Sequence, residues 1–367
     1  MIERGILYIV HSASYSVKQH ILLLLKYLSK ARYKPYLAMS DDEFLIEHVR
    51  KLGVDFTVVP DIVNANKFNV GGVAKKIVQF VEGHTINLVH SHDYQACFVG
   101  AQVAKLLNVP HISTIHTAEP IDQKKKGFFS IPNDKIVAMP NHLIAVSDVV
   151  KKRVEGLNNV DLIYNGIEAE RFAETLDTEH LYRELGLTKG NNLIGVIARL
   201  TPGKGLDVFL KAASILLETK PGMHFVIVGE GPDLDNLKNM ARSLGIADNV
   251  HFLGFRRDVA HILKSLDVVV IPNIEPDLPM VLLEAMACIR PVVVTDVAGV
   301  REVATEESVE FVPAGDAEAI AEAVINLLSD RDKAEAKAQA GQKLIVGMYN
   351  VNRMMKLTES LYLKIAG

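Results

Sequence analysis

Residues 271–288 read Ile-Pro-Asn-Ile-Glu-Pro-Asp-Leu-Pro-Met-Val-Leu-Leu-Glu-Ala-Met-Ala-Cys, and these types in this order predict a ligand site. An apolar run through Val268, Val269, Val270 and Ile271 ends at Pro272, and an acidic turn follows. Pro279 suits the first turn of a helix, where its missing N–H is no loss. A helix starting there aims free backbone N–H groups and a positive dipole end at whatever faces the turn. Glu284 lies among Leu282, Leu283, Met286 and Ala287. A carboxylate inside so apolar a helix needs a polar partner, because burying it unpaired costs several kcal/mol or more. Strand, acidic turn, anion-binding helix start and buried carboxylate together suit a ligand carrying both hydroxyls and phosphate.

A second set of residues points the same way. Arg199 ends an apolar run, and Lys204 sits in Pro-Gly-Lys-Gly ahead of an amphipathic stretch. Two cations beside a glycine-bearing turn and a helix start suit a diphosphate. His116 follows the strand-like run that carries Thr114; taken alone, it is better explained as a hydrogen-bonded core histidine. His90, His92 and Asp93 have metal-like spacing, but on a strand His90 and His92 share one face while Asp93 begins the loop. Asp233 and Asp235 spell Asp-x-Asp in Gly-Pro-Asp-Leu-Asp, where acidic side chains favour a helix N-terminus. Gly229-Glu-Gly231 is only a fragment of a dinucleotide fingerprint. Cys97 and Cys288 stand in apolar helical contexts far apart in sequence and read as small buried hydrophobes in a reducing compartment.

The elements that must position these groups alternate from end to end. Strands are predicted at 6–10, 35–39, 56–59, 87–90, 111–115, 143–146 and 160–164, with helices at 42–52, 95–107, 148–156 and around the apolar run 21–25. Residues 173–192 break the rhythm with acidic, polar and glycine-containing sequence and read as a linker. The alternation restarts with strands at 193–198, 225–228, 250–253, 268–271, 291–295 and 310–312. Helices fall at 206–217, 234–244, 259–266, 280–287, 317–328 and 352–365. The fold class is therefore α/β, with two tandem Rossmann-like, doubly wound domains expected to face a cleft. Residues 1–172 form the first domain, 193–345 the second, and 346–367 a helix crossing back to the first. Ligands in such sheets bind at strand carboxyl ends. His116 and the Glu275 turn both lie there.

Composition narrows the partners. At 367 residues the chain is long enough for two domains, each with its own core. Residues 1–180 hold 20 Lys/Arg and 20 Asp/Glu, and residues 181–367 hold 20 and 24, so neither half has the basic excess of a nucleic-acid binder. No segment approaches the roughly 18 apolar residues of a membrane span. The run at 6–10 is too short for a signal-peptide core, so a cytoplasmic protein is expected. Lys124, Lys125 and Lys126 beside Phe128 and Phe129 are the one candidate, 124–129, for peripheral contact with an anionic membrane.

In Leu88-Val-His-Ser-His-Asp, Ser113-Thr-Ile-His-Thr, Val146-Ser, Ile163-Tyr-Asn-Gly-Ile, Gly195-Val-Ile-Ala-Arg-Leu-Thr-Pro-Gly-Lys-Gly-Leu, Val228-Gly-Glu-Gly-Pro, Val250-His-Phe-Leu-Gly and Leu283-Glu-Ala-Met-Ala, the chain resembles the retaining GT-B glycosyltransferases of family 4. The resemblance runs over nearly everything from residue 87 onward. It implies transfer of a hexose from a nucleoside diphosphate sugar, a UDP- or GDP-sugar being expected, with retention of configuration and no metal or other cofactor. It implies that Arg199 and Lys204 bind the diphosphate, that backbone N–H groups at Met280 and Val281 meet it, that Glu284 binds the ribose and that His116 lies beside the donor sugar. Glu275 is expected at the sugar hydroxyls, and Ser12, Ser14 and His92 on the acceptor side. The acceptor is a glycan, a lipid-linked or a small-molecule hydroxyl, in cell-surface glycan or glycolipid synthesis.

The sequence departs from the family pattern in three places. Glu275 precedes Glu284 by nine positions rather than eight, with Pro276 at the expected place, so either the turn holds an extra residue or Asp277 substitutes. His11-Ser-Ala-Ser-Tyr-Ser replaces a glycine-rich loop, and Ile289 stands where glycine commonly ends the helix. These departures leave open an inactive nucleotide-sugar-binding partner subunit. A nucleotide-sugar 2-epimerase fits the Arg/Lys and Glu-Ala-Met motifs less well.

Overall fold

Short, largely buried runs rich in apolar residues form most of the strands, and such runs belong in parallel sheets covered on both faces. The computed structural model describes residues 4–11, 15–117, 133–173, 177–188, 190–276 and 278–366. The chain divides into two compact units: residues 1–166 with 351–367, and residues 167–350.

The first unit begins β1 (Arg4–Val10), α1 (Tyr15–Tyr27), β2 (Tyr33–Met39), α2 (Glu43–Leu52), β3 (Asp55–Val58) and α3 (Val70–Phe80). It continues with β4 (Ile86–His92), α4 (Asp93–Leu107), β5 (His111–Ile115), α5 (Asn133–Val137), β6 (His142–Ala145), α6 (Asp148–Val154) and β7 (Val160–Leu162). Its seven strands run in the order β3-β2-β1-β4-β5-β6-β7, all parallel. The strand order reverses direction between β1 and β4, the topological switch point where such sheets open a crevice.

The second unit holds α7 (Ala169–Ala173), α8 (His180–Glu184), β8 (Leu193–Ile197), α9 (Leu206–Thr219), β9 (His224–Val228), α10 (Leu234–Ser243) and β10 (Val250–Gly254). It goes on through α11 (Val259–Ser265), β11 (Val268–Ile271), α12 (Met280–Ala287), β12 (Val292–Thr295), β13 (Glu310–Val312), α13 (Ala317–Ser329) and α14 (Arg331–Met348). The six strands are again parallel, in the order β10-β9-β8-β11-β12-β13, with the switch between β8 and β11.

Helices fall where the sequence pattern assigned none, α3, α8 and α14 and the five-residue α5 and α7. Helix α3 buries Val70, Val73, Ala74 and Ile77 from a segment with two glycines. Helix α14 buries a thin stripe of Ala334, Ala338, Gly341 and Ile345. Its periodicity is muted because the buried residues are small; they let α14 approach α12, and a Cβ on Gly341 would lie 3.2 Å from Met286 Cγ. Helix α8 lies inside the segment read as linker, with Leu181 and Tyr182 buried. Among the described residues, no helix is long and apolar enough to cross a membrane. Residues 124–129 lie outside the described residues.

The final helix, α15 (Val351–Ala366), joins the core of the first unit. Its Tyr362 is fully buried, its hydroxyl 3.1 Å from Tyr8 Oη and 2.5 Å from His90 Nδ1. His90 Nε2 is 2.7 Å from Thr114 Oγ1, so one polar chain ties α15 through β1 and β4 to β5. Buried polar groups are costly when left unpaired. Tyr362→Phe should therefore lower the stability of the first unit by about 1–3 kcal/mol. The measurement is the denaturant midpoint; an unchanged midpoint would show that the chain contributes nothing.

Candidate functional site

In the first unit, the site residues gather where β1, β4 and β5 end. His92 is the last residue of β4, His116 immediately follows β5, and His11 follows β1. His20 reaches in from α1, directly ahead of its apolar run Ile21–Leu25. His92 Nδ1 lies 3.1 Å from His116 Nε2, and the His20 ring meets the His116 ring edge-on at 4.7 Å between centroids. His20 and His92 are buried, and His116 is partly so. Desolvation lowers the pKa of every member. His20 falls to about 4, and His90, His92 and His116 lie well below the usual imidazole value, each pushed further by its neighbours. At neutral pH the cluster is uncharged.

Asp93 is the residue that sequence reasoning undervalued. It opens α4 directly rather than starting a loop, and its backbone is left-handed at φ 64°. A non-glycine residue in that region costs about 1 kcal/mol or more. The buried Asp93 carboxylate accepts the backbone N–H of His116 at 2.9 Å, so the strained position holds the His116 backbone. An aspartate directly after a strand-end histidine was the available signal. Ser12 and Ser14 lie outside the described residues.

In the second unit, two loops at the switch point are pressed together. The Gly203 carbonyl accepts from the N–H groups of Ile274 and Glu275, at 2.9 and 3.4 Å. Gly205, at φ 68°, lies so close to Pro272 that a Cβ would fall 1.8 Å from its carbonyl oxygen. A Cβ on Gly203 would fall 2.5 Å from the Glu275 carboxyl carbon, so the Glu275 carboxylate lies against the loop that carries Lys204. From below, the buried Thr295 hydroxyl donates to the carbonyls of Asn273 and Ile271, at 2.5 and 3.3 Å, fixing the turn.

Arg199 is held from both sides while its side chain stays exposed. Ala198 N–H donates to Val228 O at 3.0 Å and Leu200 N–H to Glu230 O at 2.9 Å. Gly229 and Gly231 permit this, since a Cβ on either would come within 1.9 and 2.1 Å of the Ala198 and Leu200 carbonyl oxygens. The Gly-Glu-Gly fragment is thus a packing device. Asp233 stands at the N-cap of α10 and Asp235 in its first turn.

Helix α12 starts at Met280, with Pro279 one place earlier as its N-cap and no side chain capping it. The first N–H groups, Met280 and Val281 among them, therefore have no intrahelical acceptor. Glu284 sits on this helix, buried, and burial pushes its carboxyl up to about 7 against an opposing effect of Arg171 on α7. Ile289 ends the helix in left-handed backbone at φ 55°, a strained place for a β-branched residue and one where glycine is at ease. Asp277 lies outside the described residues. Both cysteines are free and buried, their thiols pushed up to about 12 by burial.

Two parallel doubly wound units, each with its polar residues at the switch point, define the GT-B class. Comparison with known proteins agrees: the family profile Glycosyl transferases group 1 matches residues 177–344, and Glycosyltransferase Family 4 matches residues 17–171. An uncharacterized glycosyltransferase of Methanocaldococcus jannaschii is 31% identical over 298 residues, covering 76% of this chain and 75% of its own length. The chain belongs to this glycosyltransferase family. An Escherichia coli UDP-Gal:alpha-D-GlcNAc-diphosphoundecaprenol alpha-1,3-galactosyltransferase is 25% identical over 289 residues, covering 74% of each chain. The Anabaena protein HepE, solved in complex with UDP and glucose, superposes with a TM-score of 0.81 at 19% identity, over 97% of this chain and 98% of that one. At that identity the likeness is one of fold.

Two outcomes follow from this geometry. Asp93→Gly relaxes the left-handed backbone but removes the acceptor for His116. It should keep stability within about 1 kcal/mol of the parent while lowering turnover at least tenfold, with Asp93→Asn retaining more activity. Melting curves beside turnover assays check this; equal activity in Asp93→Gly would remove the positioning role. For Glu284, burial pushes the folded carboxyl up to about 7 from the 4.5 of an exposed glutamate, so the protein loses stability as pH rises through that window. Glu284→Gln should be the more stable protein at pH 8, by up to about 3 kcal/mol, with the gap closing toward pH 4.5. Denaturant midpoints of both proteins across that range measure it.

Proposed function

We propose that the protein transfers a hexose from a nucleoside diphosphate sugar to an acceptor hydroxyl with retention at the anomeric carbon. The observation that carries this reading is the pinned pair of loops in the second unit. Glu275 lies there against Gly203, the neighbour of Lys204, with Arg199 earlier in the same loop after β8 and with α12, its uncapped start and buried Glu284, following the turn after β11. In this reading Arg199 and Lys204 neutralise the diphosphate and stabilise it as a leaving group. The N–H groups of Met280 and Val281 add to that charge, as helix N-termini do for phosphates. Glu284 gains in the ribose hydroxyls the polar partner its burial calls for, and Glu275 takes hydroxyls of the sugar.

In this reading His116 takes the place beside the donor sugar that the family resemblance gives it. As a neutral imidazole it supplies a hydrogen bond without placing a charge beside the oxocarbenium-like centre. His92 acts through His116, and Asp93 holds the His116 backbone. Ser12 and Ser14 belong to the acceptor side of this reading. The leaving diphosphate takes the acceptor proton on the same face, so no protein nucleophile or metal is required for transfer. The Escherichia coli relative, named for moving galactose from UDP-Gal to a lipid-linked sugar, supports a UDP-hexose donor and an acceptor in cell-surface glycan or glycolipid synthesis.

Thermal melts with UDP, GDP and ADP sugars test the donor, because a ligand bound only by the folded state raises its melting temperature. The UDP sugar should give the largest rise. Arg199→Ala and Lys204→Ala should each weaken UDP binding by about tenfold or more, a charge-assisted contact being worth about 1.5–3 kcal/mol. Full UDP affinity in both variants would overturn the site. Binding without turnover of any nucleotide sugar would favour a partner subunit over an enzyme.

A further inference from the structure

We propose that His20, His92 and His116 form a binding site for a zinc-class divalent ion in the first unit, and that this ion competes with the donor sugar for His116. The three side chains each offer one ring nitrogen, and the three nitrogens lie within 4.8 Å of one another. Their ring centroids form a nearly equilateral triangle of 4.7, 5.4 and 5.5 Å. Three imidazoles on one tetrahedral zinc ion, at a Zn–N distance of about 2.0–2.1 Å, place their centroids about 5 Å apart. The rings are therefore already spaced for the ion, and small side-chain rotations bring the nitrogens in.

A second observation concerns the nitrogens themselves. His92 Nδ1 and His116 Nε2 face each other at 3.1 Å, close to the spacing of about 3.3 Å between two ligands on one tetrahedral zinc ion. His20 Nδ1 is buried without a hydrogen-bond partner, an uncommon state for a polar atom in a protein interior. Burial already favours the neutral imidazole that ligation requires. The donors also sit on rigid supports, one on α1, one at the end of β4 and one directly after β5. His116 is the most accessible of the three.

The choice of ion follows from the donors. An all-imidazole, three-donor set with no carboxylate suits zinc and its neighbours rather than magnesium or calcium, which take oxygen ligands. Competition is the consequence that rests on the proposed role of His116 at the sugar. An ion held by His116 withdraws that ring from the donor, so zinc would act as a reversible inhibitor of a reaction that does not need it.

The test uses the full chain freed of metal by chelation and titrated with Zn2+ against a chromophoric chelator. One tightly held ion per chain is expected. His20→Asn and His116→Ala should each weaken it by at least about 100-fold, more than the 10–100-fold loss typical of a residue behind the ligands. The His116 position is partly open, so that variant keeps the test valid if the buried His20 substitution fails to fold. His224→Ala, at the separate His224–His251 pair, should leave the tight ion in place. Undiminished affinity in His116→Ala, or loss of the ion in His224→Ala, overturns the site. In transfer assays, zinc should suppress turnover and a chelator restore it, while UDP still raises the melting temperature. Zinc bound with turnover unchanged overturns the competition. If no turnover is found at all, the proposed function fails, and the chelator titration still decides the metal site.

Discussion

The second unit depends on a contact between backbones. Gly205 lies against the Pro272 carbonyl, closer than any side chain would allow, and the Gly203 carbonyl accepts two hydrogen bonds from the turn that follows. These contacts bring the loop after β8 and the turn after β11 into one rigid piece. The loop that carries Arg199 and Lys204 then lies against the turn that carries Glu275. Gly229 and Gly231 repeat the device on the far side of Arg199. Glycines here act by absence: each removes a Cβ that would push a charged residue out of reach of the others.

The first unit solves a related problem with side chains. Its strand ends meet in histidines packed ring against ring, and burial keeps them neutral. Neutrality is what allows so many imidazoles to share an interior, since several cations so close would repel one another strongly. The order is maintained from two directions. The Tyr8–Tyr362–His90–Thr114 chain anchors the cluster from α15, and the strained Asp93 carboxylate holds the His116 backbone. The ring nitrogens of His20, His92 and His116 that face one another are the feature a bound ion would draw on.

Much of this was legible beforehand, for definite reasons. Buried β-branched runs such as 268–271 announce parallel strands, and Pro279 announces a helix start to within one residue. Glu284 stood out because a carboxylate among leucines and alanines has to be explained. Helix α14 escaped because its buried stripe is alanine and glycine but for Ile345, and these small residues carry little hydrophobic signal. Asp93 escaped because nothing in its identity reports a φ of 64°, and His20 because a polar residue beside Lys18 and Gln19 at the polar start of a helix is ordinary. Gly229 and Gly231 were visible as a motif fragment, but not as spacers for Arg199.

The line between sequence and structure falls at sequence separation. Alternating apolar runs, glycines at turns and a proline at a helix start are local, and they determined the α/β class, the two-unit organisation and the residue types available for phosphate and hydroxyl recognition. Proximity between distant segments is not local. Only the tertiary structure brought Gly203 against Glu275, His20 against His116 and Asp93 beneath the His116 N–H, because these depend on how twisted sheets bring strand ends together. It also decided charge. A histidine or glutamate has one expected pKa in a sequence and another once its neighbours have excluded water.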